Sequence, residues 1–213
     1  MPFGRWNVRL NTRLARVEVT AVVIGLALAS PLLARAANEG SAAGTVDVAK
    51  IRIDNFGQIN PTYYRGSQPK GRDYADLAAL GIKTLIDLTS GDGEADENSM
   101  TERAGMKHVQ IPMSTREPPT PAQLATFLNI VNDPANQPIY VHCVGGRHRT
   151  GVMTAVYRMA KDAWTADQAF KEMKRYKFGA DFLHPEFKSF VYGFRGLVHE
   201  APSQSVVATQ IGK

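Results

Sequence analysis

The stretch that decides the fold of this chain is His142-Cys143-Val144-Gly145-Gly146-Arg147-His148-Arg149-Thr150-Gly151. An apolar run, residues 139–141, precedes it, and a longer apolar segment, residues 152–159, follows it, which predicts a strand, a tight loop and a helix. Two adjacent glycines let the loop turn sharply, so that its backbone N–H groups can point inward. The helix that begins near Arg149 adds the partial positive charge of its N-terminus. The stretch therefore predicts a binding site for a tetrahedral anion beside a cysteine.

The chemistry of this loop centres on Cys143. Backbone dipoles, the helix terminus and nearby cations all favour its thiolate over its thiol, so we predict that Cys143 is a nucleophile. Arg149 follows after five residues, a spacing that brings a planar guanidinium back to two oxygens of the same phosphoryl group. We expect Thr150 to donate a hydrogen bond to the sulfur, and the ring of His142 to hydrogen-bond the loop and fix Cys143. A lone cysteine is more often a small buried hydrophobe, but the flanking glycines and cations argue against that alternative.

The composition is that of a globular protein, with 44% apolar and 21% charged residues, and 213 residues suit one domain with its own core. The formal net charge is +5, but residues 1–36 hold five arginines and one glutamate, a net +4. The remainder has 20 basic and 19 acidic residues, a net +1, which gives no support to nucleic-acid binding by the folded part. The single cysteine excludes an intramolecular disulfide and a cysteine-rich zinc site.

Residues 1–36 have the order of a signal peptide for export. Four arginines precede the apolar run 19–29, and Ala34 and Ala36 form a small-residue cleavage site that would leave Ala37 as the new N-terminus. The alternative is an uncleaved membrane anchor, but the apolar stretch up to residue 33 is only fifteen residues long. That is short of the ~20 residues needed to cross a bilayer. In either case we predict that the folded domain lies outside the cytoplasm, periplasmic or secreted.

The rest of the chain alternates short apolar strands with amphipathic helices. We predict a linker over 37–45, a folded domain over 46–200 and a flexible tail over 201–213. The strands are expected at 46–53, 63–65, 84–88, 107–111 and 139–142, with helices between and after them. This order predicts a single α/β domain whose central, mostly parallel sheet is flanked by helices. In such sheets ligands bind at the carboxyl ends of the strands, which is where Cys143 lies.

The pattern His-Cys-x5-Arg-Thr-Gly over residues 142–151 resembles the signature of cysteine-dependent protein tyrosine and dual-specificity phosphatases. Upstream, Asn55-Phe56-Gly57 and Tyr64-Arg65-Gly66-Ser67-Gln68-Pro69 are similar to the opening segment of compact bacterial dual-specificity-like phosphatases. Residues 146–151 are also similar to the atypical plant and fungal dual-specificity group, some of whose members act on inositol pyrophosphates. The resemblance covers roughly residues 50–195. It implies a dual-specificity phosphatase-like fold, a phosphocysteine on Cys143, and neither cofactor nor metal. It also implies that the phosphate is held by the loop backbone of Val144, Gly145, Gly146, Arg147, His148 and Arg149.

The resemblance further implies a general acid, usually an aspartate on a loop some thirty residues before the cysteine. The matching loop here, residues 112–119, contains no aspartate. Glu117 is its only carboxylic acid and our candidate, with a solvated surface glutamate as the alternative. Asp92 or Asp96, on another loop, are further candidates.

The predicted function is that of a phosphomonoester hydrolase acting on a phosphorylated protein or a small phosphoester. A protein tyrosine or dual-specificity phosphatase leads, and an inositol (pyro)phosphate phosphatase is the alternative, because Arg147 and His148 add positive charge that suits several phosphates. Sulfur or arsenate chemistry fits Thr150-Gly151 less well, and arsenate reduction would normally need resolving thiols. A phosphate-binding module without turnover is a further alternative, motivated by the missing aspartate. Nucleic acid is not an expected partner, and a membrane is expected only through an uncleaved N-terminal segment.

One residue of the opening segment, Arg65, has two readings in the sequence. It either pairs with an internal carboxylate and fixes the segment, or it lines the rim of the pocket. We favour the first.

Overall fold

The computed structural model describes residues 48–195. The predicted signal peptide (1–36), linker (37–45) and tail (201–213) lie outside these residues. Within the described part, no helix combines the length and the apolar character needed to cross a membrane.

Five strands of the described residues form one sheet, and the strand that ends at Cys143 lies at its centre. The strands are β1 (Gly57–Asn60), β2 (Tyr63–Ser67), β3 (Thr84–Asp87), β4 (Lys107–Gln110) and β5 (Ile139–Cys143). Their order across the sheet is β1-β2-β5-β3-β4, with β1 antiparallel to β2 and all other neighbours parallel. All five residues of β5 are buried, as expected for a parallel strand that is covered on both faces.

Residues 48–195 form six helices around the sheet. They are α1 (Asp73–Ala79), α2 (Glu97–Arg103), α3 (Pro121–Asn132), α4 (Arg149–Lys161), α5 (Ala166–Arg175) and α6 (Pro185–Gly193). Three short 3-10 turns lie at Val48–Lys50, Pro134–Asn136 and Asp181–Leu183. Capping boxes formed by Thr120 with Gln123 and by Thr165 with Gln168 start α3 and α5.

The side chains of β5 alternate between two cores. Tyr140 packs with residues of α1, such as Leu77, in a cluster on one face of the sheet. Val141 and Cys143 pack with residues of α3 and α4, such as Phe127, in a cluster on the other face. Because side chains of a strand alternate with a period of two, His142 points toward α1 and α2, away from the face that holds Cys143.

The predicted fold class, a single α/β domain with a mostly parallel central sheet, is confirmed. The strand predicted over 46–53 is wrong where the structure describes it, because residues 48–50 form a 3-10 turn. Ile51 and Ile53 are both buried in the cluster that contains α1, and this burial produces the alternation without any strand partner. The antiparallel edge strand is instead β1, which pairs with β2 directly after it.

Candidate active site

The site is built where β5 passes into α4. Cys143 ends the strand and is 4% exposed, residues 144–148 form the connecting loop, and the 13-residue helix α4 begins at Arg149. A pocket of about 240 Å³ opens over the loop. It is lined by Thr115, Cys143, Val144, Gly145, Arg147, His148 and Arg149. The nucleophile, the guanidinium and the loop that the sequence predicts are therefore brought together around one cavity.

The loop backbone offers hydrogen-bond donors to an anion. Within residues 48–195, five of its N–H groups donate to no protein acceptor, namely those of Val144, Gly145, Arg147, His148 and Arg149. The turn itself is made by Gly146, whose φ is 61° and whose N–H donates to the Cys143 carbonyl at 3.3 Å. Unpaired amides at a helix N-terminus form an anion site, so this geometry suits a phosphoryl group beside the sulfur.

Arg149 is held in place by a carboxylate that the sequence suggested only as an acid. Asp92, on the loop after β3, accepts hydrogen bonds from Nη1 at 2.9 Å and from Nη2 at 2.6 Å. Nη1 also donates to the backbone carbonyls of Leu88 and Met113. Of the five guanidinium donors, the Nε–H and one Nη2–H donate to no protein oxygen in the described part of the chain. These two donors form the other edge of the guanidinium and remain for phosphoryl oxygens.

The Asp92–Arg149 pair fixes the charges of both partners. Hydrogen bonds from Arg149 lower the pKa of Asp92 to about 2 despite some burial. Burial works against the charge of Arg149, but the hydrogen bonds to Asp92 and the nearby Cys143 sulfur raise its pKa above the ordinary value. In this arrangement Asp92 is a carboxylate at neutral pH and has no proton to give.

The ring of His142 does not contact the loop, which corrects the role predicted for it. Its Nε2 lies 3.1 Å from Oε1 of Glu97, at ion-pair distance but out of line for a hydrogen bond. Glu97, in the first turn of α2, also accepts hydrogen bonds from Tyr74 and Gln68. The alternation of β5 explains the difference, because it places His142 on the face of the sheet opposite Cys143.

The hydroxyl of Thr150 is fully buried and has no hydrogen-bond partner among residues 48–195. The hydrogen bond to the Cys143 sulfur that the sequence predicts is therefore not formed in this structure. An unpaired buried hydroxyl beside the loop is nonetheless available to donate when the sulfur carries charge.

The cationic side chains of the loop differ in burial. The side chain of Arg147 is 48% exposed and lies 4.0 Å from Asp54. His148 is half-buried against the ring of His184, with centroids 3.8 Å apart, and its Nε2 lies 3.0 Å from the Phe178 carbonyl oxygen. Burial, followed by the charge of His184, lowers the pKa of His148. Arg147 is thus the side chain of this pair that keeps a positive charge at the mouth of the pocket at neutral pH.

The loop of residues 112–119 contributes Thr115 to the pocket. Glu117 is exposed and is not among the residues that line the cavity. Asp96 is also exposed, at the start of α2, and its side chain makes no capping hydrogen bond. The role of Glu117 as general acid stays a prediction.

Arg65 has neither of the two contacts predicted for it, the ion pair with a carboxylate or the place at the rim of the pocket. It is fully buried, so it does not line the rim, and it forms no ion pair with a carboxylate of the described residues. Its Nη2 donates instead to the carbonyl oxygen of Gly146, and its guanidinium lies 4.1 Å from the centroid of the Tyr176 ring. The opening segment is therefore fixed to the phosphate-binding loop itself.

One group of side chains in residues 48–195 has the spacing of metal ligands. Asp87, Glu97 and His142 are buried, and their ligand atoms lie within 4.8 Å of one another. Both carboxylates already accept hydrogen bonds from the protein, Asp87 from Thr89 and Glu97 from Gln68. The two carboxylates are thus already engaged by the protein behind β5, on the face of the sheet away from Cys143, whereas the ring nitrogens of His142 have no hydrogen-bond partner in the described residues.

Sequence reasoning missed four features of the site and its surroundings. Thr115 carries no local signal, and Glu97 reads as an ordinary acidic residue of a first helical turn. The pairing of Asp92 with Arg149 joins residues 57 positions apart, which no local pattern reports. Asn55 belongs to the quoted opening segment, and its side chain donates to the Gly146 carbonyl at 2.7 Å. Its appearance in that motif was the one available signal.

Comparison with known proteins places this site in a family. Inositol diphosphatase SIW14 of Saccharomyces cerevisiae is 32% identical over 133 residues, which are 60% of this chain and 47% of that protein. Dual specificity protein phosphatase TpbA of Pseudomonas aeruginosa is 25% identical over 139 residues, 65% of this chain and 62% of that protein. The chain thus spans about half to three fifths of the length of these two relatives.

A solved structure and a family model agree with these relatives. The crystal structure of the core catalytic domain of PP-IP phosphatase SIW14, in complex with citrate, matches with a TM-score of 0.57 and 29% identity. The match covers 65% of this chain and 84% of that one. The model described as DSP-PTPase phosphatase fused to NAD+ kinase matches residues 54–188, more than half of the chain and all of the loop around Cys143. The chain therefore belongs to the DSP-PTPase phosphatase family.

Proposed function

We propose that this chain hydrolyses phosphomonoesters through a cysteinyl-phosphate on Cys143, as a cysteine-dependent protein tyrosine or dual-specificity phosphatase. The observation that carries the proposal is the arrangement around one pocket of a buried cysteine, an arginine held by a carboxylate, and five unpaired backbone N–H groups. Each of these suits a phosphoryl group that is attacked by sulfur. Family membership and the names of the relatives add support.

The reaction has two steps. The Cys143 thiolate attacks phosphorus in line with the leaving oxygen, so that the S–P bond forms as the P–O bond to the leaving group breaks. The leaving oxygen takes a proton from a general acid, for which Glu117 is our candidate. Water then attacks the phosphocysteine and gives a proton back to the carboxylate of the general acid, phosphate is released, and the sulfur departs as thiolate. We expect Thr150, whose buried hydroxyl has no hydrogen-bond partner among residues 48–195, to donate to that sulfur.

Arg149 provides the electrostatic part of the mechanism. Its free edge, made of the Nε–H and one Nη2–H, can bind two equatorial oxygens of the phosphoryl group at once. Because Asp92 already fixes the other edge, the guanidinium needs little reorganisation when charge develops in the transition state. The loop N–H groups and the terminus of α4 act on the same oxygens.

The pocket supports a substrate of which only the phosphoryl end is enclosed. Its volume of about 240 Å³ lies below the ~300–1,000 Å³ of pockets that enclose whole small-molecule ligands. The rest of the substrate would therefore lie across the mouth, beside exposed Val144 and Arg147. Such an arrangement accommodates a phosphorylated protein side chain or a small phosphoester.

An inositol (pyro)phosphate is the second candidate substrate. The relative named as an inositol diphosphatase is 32% identical over the matched region. Arg147 adds a positive charge at the mouth of the pocket, where a second phosphate of such a substrate would lie. The proposed chemistry at Cys143 is the same for both substrate classes, and it uses no metal and no cofactor.

We also propose that the domain works outside the cytoplasm, periplasmic or secreted, with residues 1–36 as signal peptide or, if uncleaved, as membrane anchor. The support is the order of basic, apolar and small residues in that segment. The mass of the mature protein tests this, since cleavage predicts a chain that begins at Ala37. A mature protein that begins at Met1 would contradict cleavage.

The experiment that tests the function is phosphate release from a panel of substrates. The panel contains p-nitrophenyl phosphate, a phosphotyrosine peptide, a phosphoserine peptide and an inositol pyrophosphate, each with Cys143→Ser as control. We expect turnover of at least the aryl phosphate and its loss in Cys143→Ser. Release that survives in the variant would remove Cys143 from the mechanism.

A further inference from the structure

The opening segment, residues 55–69, contacts the phosphate-binding loop from the side of β2. The carbonyl oxygen of Gly146 accepts hydrogen bonds from two of its side chains, Asn55 Nδ2 at 2.7 Å and Arg65 Nη2. Gly146 packs so closely on the backbone of Gly66 that a Cβ at this position would collide with it. Two side-chain donors and one close backbone contact therefore fix a single peptide group of the loop.

This peptide group joins Gly146 to Arg147. In a planar trans peptide the C=O and the following N–H point in opposite directions. Because Asn55 and Arg65 hold the carbonyl toward β2, the N–H of Arg147 points away from β2. That N–H donates to no protein acceptor within residues 48–195, and Arg147 lines the pocket. The contact at Gly146 thus decides which way one of the anion-binding donors faces.

Arg65 also brings a charge that no carboxylate of residues 48–195 neutralises by an ion pair. The side chain is 0% exposed, and its Nε and Nη1 are buried without a hydrogen-bond partner in the described part of the chain. Burial lowers its pKa, and this shift is opposed by the nearby Tyr63, Tyr176, Cys143 sulfur and, as the smallest of these effects, the Glu172 carboxylate. A buried cation is costly unless negative charge lies near it. The anions of the site, the Cys143 thiolate and a bound phosphoryl group, meet that need.

We propose that Asn55 and Arg65 are positioning residues of the phosphate-binding loop. They hold the Gly146 carbonyl toward β2 and so turn the Arg147 N–H into the anion site, and Arg65 places a buried positive charge behind it. The proposal rests on the proposed function only in requiring that the loop binds a phosphoryl group. It explains why the opening segment and the cysteine loop belong to one functional unit.

The test measures the affinity for inorganic phosphate by calorimetry, with the full chain carrying Cys143→Ser as parent. Asn55→Gly removes the side-chain donor, and glycine accepts the φ of 56° at this position without strain. We expect its affinity to fall about tenfold, the effect of losing the one hydrogen bond that reaches the loop. The same side chain also donates to the Tyr176 carbonyl at 2.9 Å, and the loss of that bond should lower the stability of the fold. Arg65→Met removes a charged donor and should weaken binding about 100-fold. Arg65→Lys keeps the charge and should fall between Arg65→Met and the parent.

The matched control is Asn60→Gly. Asn60 lies in the same opening segment, and its Nδ2 donates to the hydroxyl of Tyr157 at 2.8 Å and not to the phosphate-binding loop. Both asparagine variants should lower the midpoint of thermal unfolding, but only Asn55→Gly should lower the phosphate affinity. If the role of Asn55 were purely structural, both variants would again unfold at lower temperature, but both would bind phosphate as tightly as the parent.

The inference is overturned if Asn55→Gly and Arg65→Lys are folded and bind phosphate as tightly as the parent. The test therefore does not depend on the folding of Arg65→Met. The inference is also overturned if the parent binds no phosphate at all. A wild-type chain that releases no phosphate from any substrate, while the parent still binds the ion, would sink the proposed function and leave this inference standing.

Discussion

Replacing Gly146 by alanine should disable the site through sterics alone. The added Cβ would lie 2.6 Å from the backbone nitrogen of Ser67 and nearer still to the carbonyl group of Gly66. Real Cβ atoms essentially never approach within 3.0 Å, and ordinary contact begins at 3.4 Å. The loop must therefore move away from β2 by 0.8 Å to bring the Ser67 nitrogen to ordinary contact, and further still to clear the carbonyl group of Gly66. Because the obstacle is backbone, no flexible side chain can yield instead.

The magnitude follows from what that movement breaks. Alanine at a φ of 61° costs about 1–2 kcal/mol of backbone strain. The carbonyl of Gly146 moves away from Arg65, and a hydrogen bond to a charged group contributes about 1.5–3 kcal/mol. We expect the free energy of unfolding to fall by about 3 kcal/mol. A displacement near 1 Å at a catalytic loop lowers the rate by about 100-fold.

The assay compares Gly146→Ala with Gly145→Ala. At Gly145 an added Cβ meets only the side chain of Arg147, at 3.6 Å or more, and φ is outside the left-handed region. We expect kcat/KM for p-nitrophenyl phosphate to fall about 100-fold in Gly146→Ala and to stay within a few-fold of wild type in Gly145→Ala. Equal activities for the two variants, with both folded, would refute the argument that Gly66 fixes the loop.

Three further predictions concern side chains of the site. Glu117→Gln should slow the hydrolysis of alkyl phosphates by about 100-fold and of aryl phosphates little, because good leaving groups need no acid; equal small losses would remove Glu117 from the mechanism. Asp92→Asn should lower kcat/KM about tenfold for both alkyl and aryl phosphates, because Arg149 loses one charged acceptor. Glu94→Gln, on the same exposed loop, is the control and should leave kcat/KM unchanged. A rise in activity would show that Asp92 blocks the site. Because burial holds the pKa of His148 below 6.5, the unfolded chain takes up a proton first as pH falls, so stability should drop below about pH 6.5 and drop less in His148→Gln.

The sequence was most informative where function is built from adjacent residues. Cys143, the two glycines and Arg149 follow one another, so the strand, the anion-binding turn and the helix start could be predicted together. The partners of these residues come from elsewhere in the chain. Asp92 and Asn55 lie 57 and 91 positions from the groups they contact. Such contacts depend on strand order and packing, which local patterns do not encode.

Errors of the sequence reasoning have physical causes of the same kind. The ring of His142 was expected at the loop, but alternation along β5 carries it to Glu97 on the opposite face. Ile51 and Ile53 imitate a strand because both fill one cluster beside α1. In both cases the sequence pattern gives the spacing of the buried side chains but not the surface against which they pack.

The most direct test of the account is the identity of the covalent intermediate. Wild-type protein is mixed with an aryl phosphate, quenched rapidly at acid pH and digested with a protease. The mass of the peptide that contains Cys143 is then measured by mass spectrometry. We expect this peptide to gain the mass of one phosphoryl group in the wild type and to show no gain in Cys143→Ser. Steady release of phosphate with no phosphorylated Cys143 peptide at any quench time would contradict this expectation.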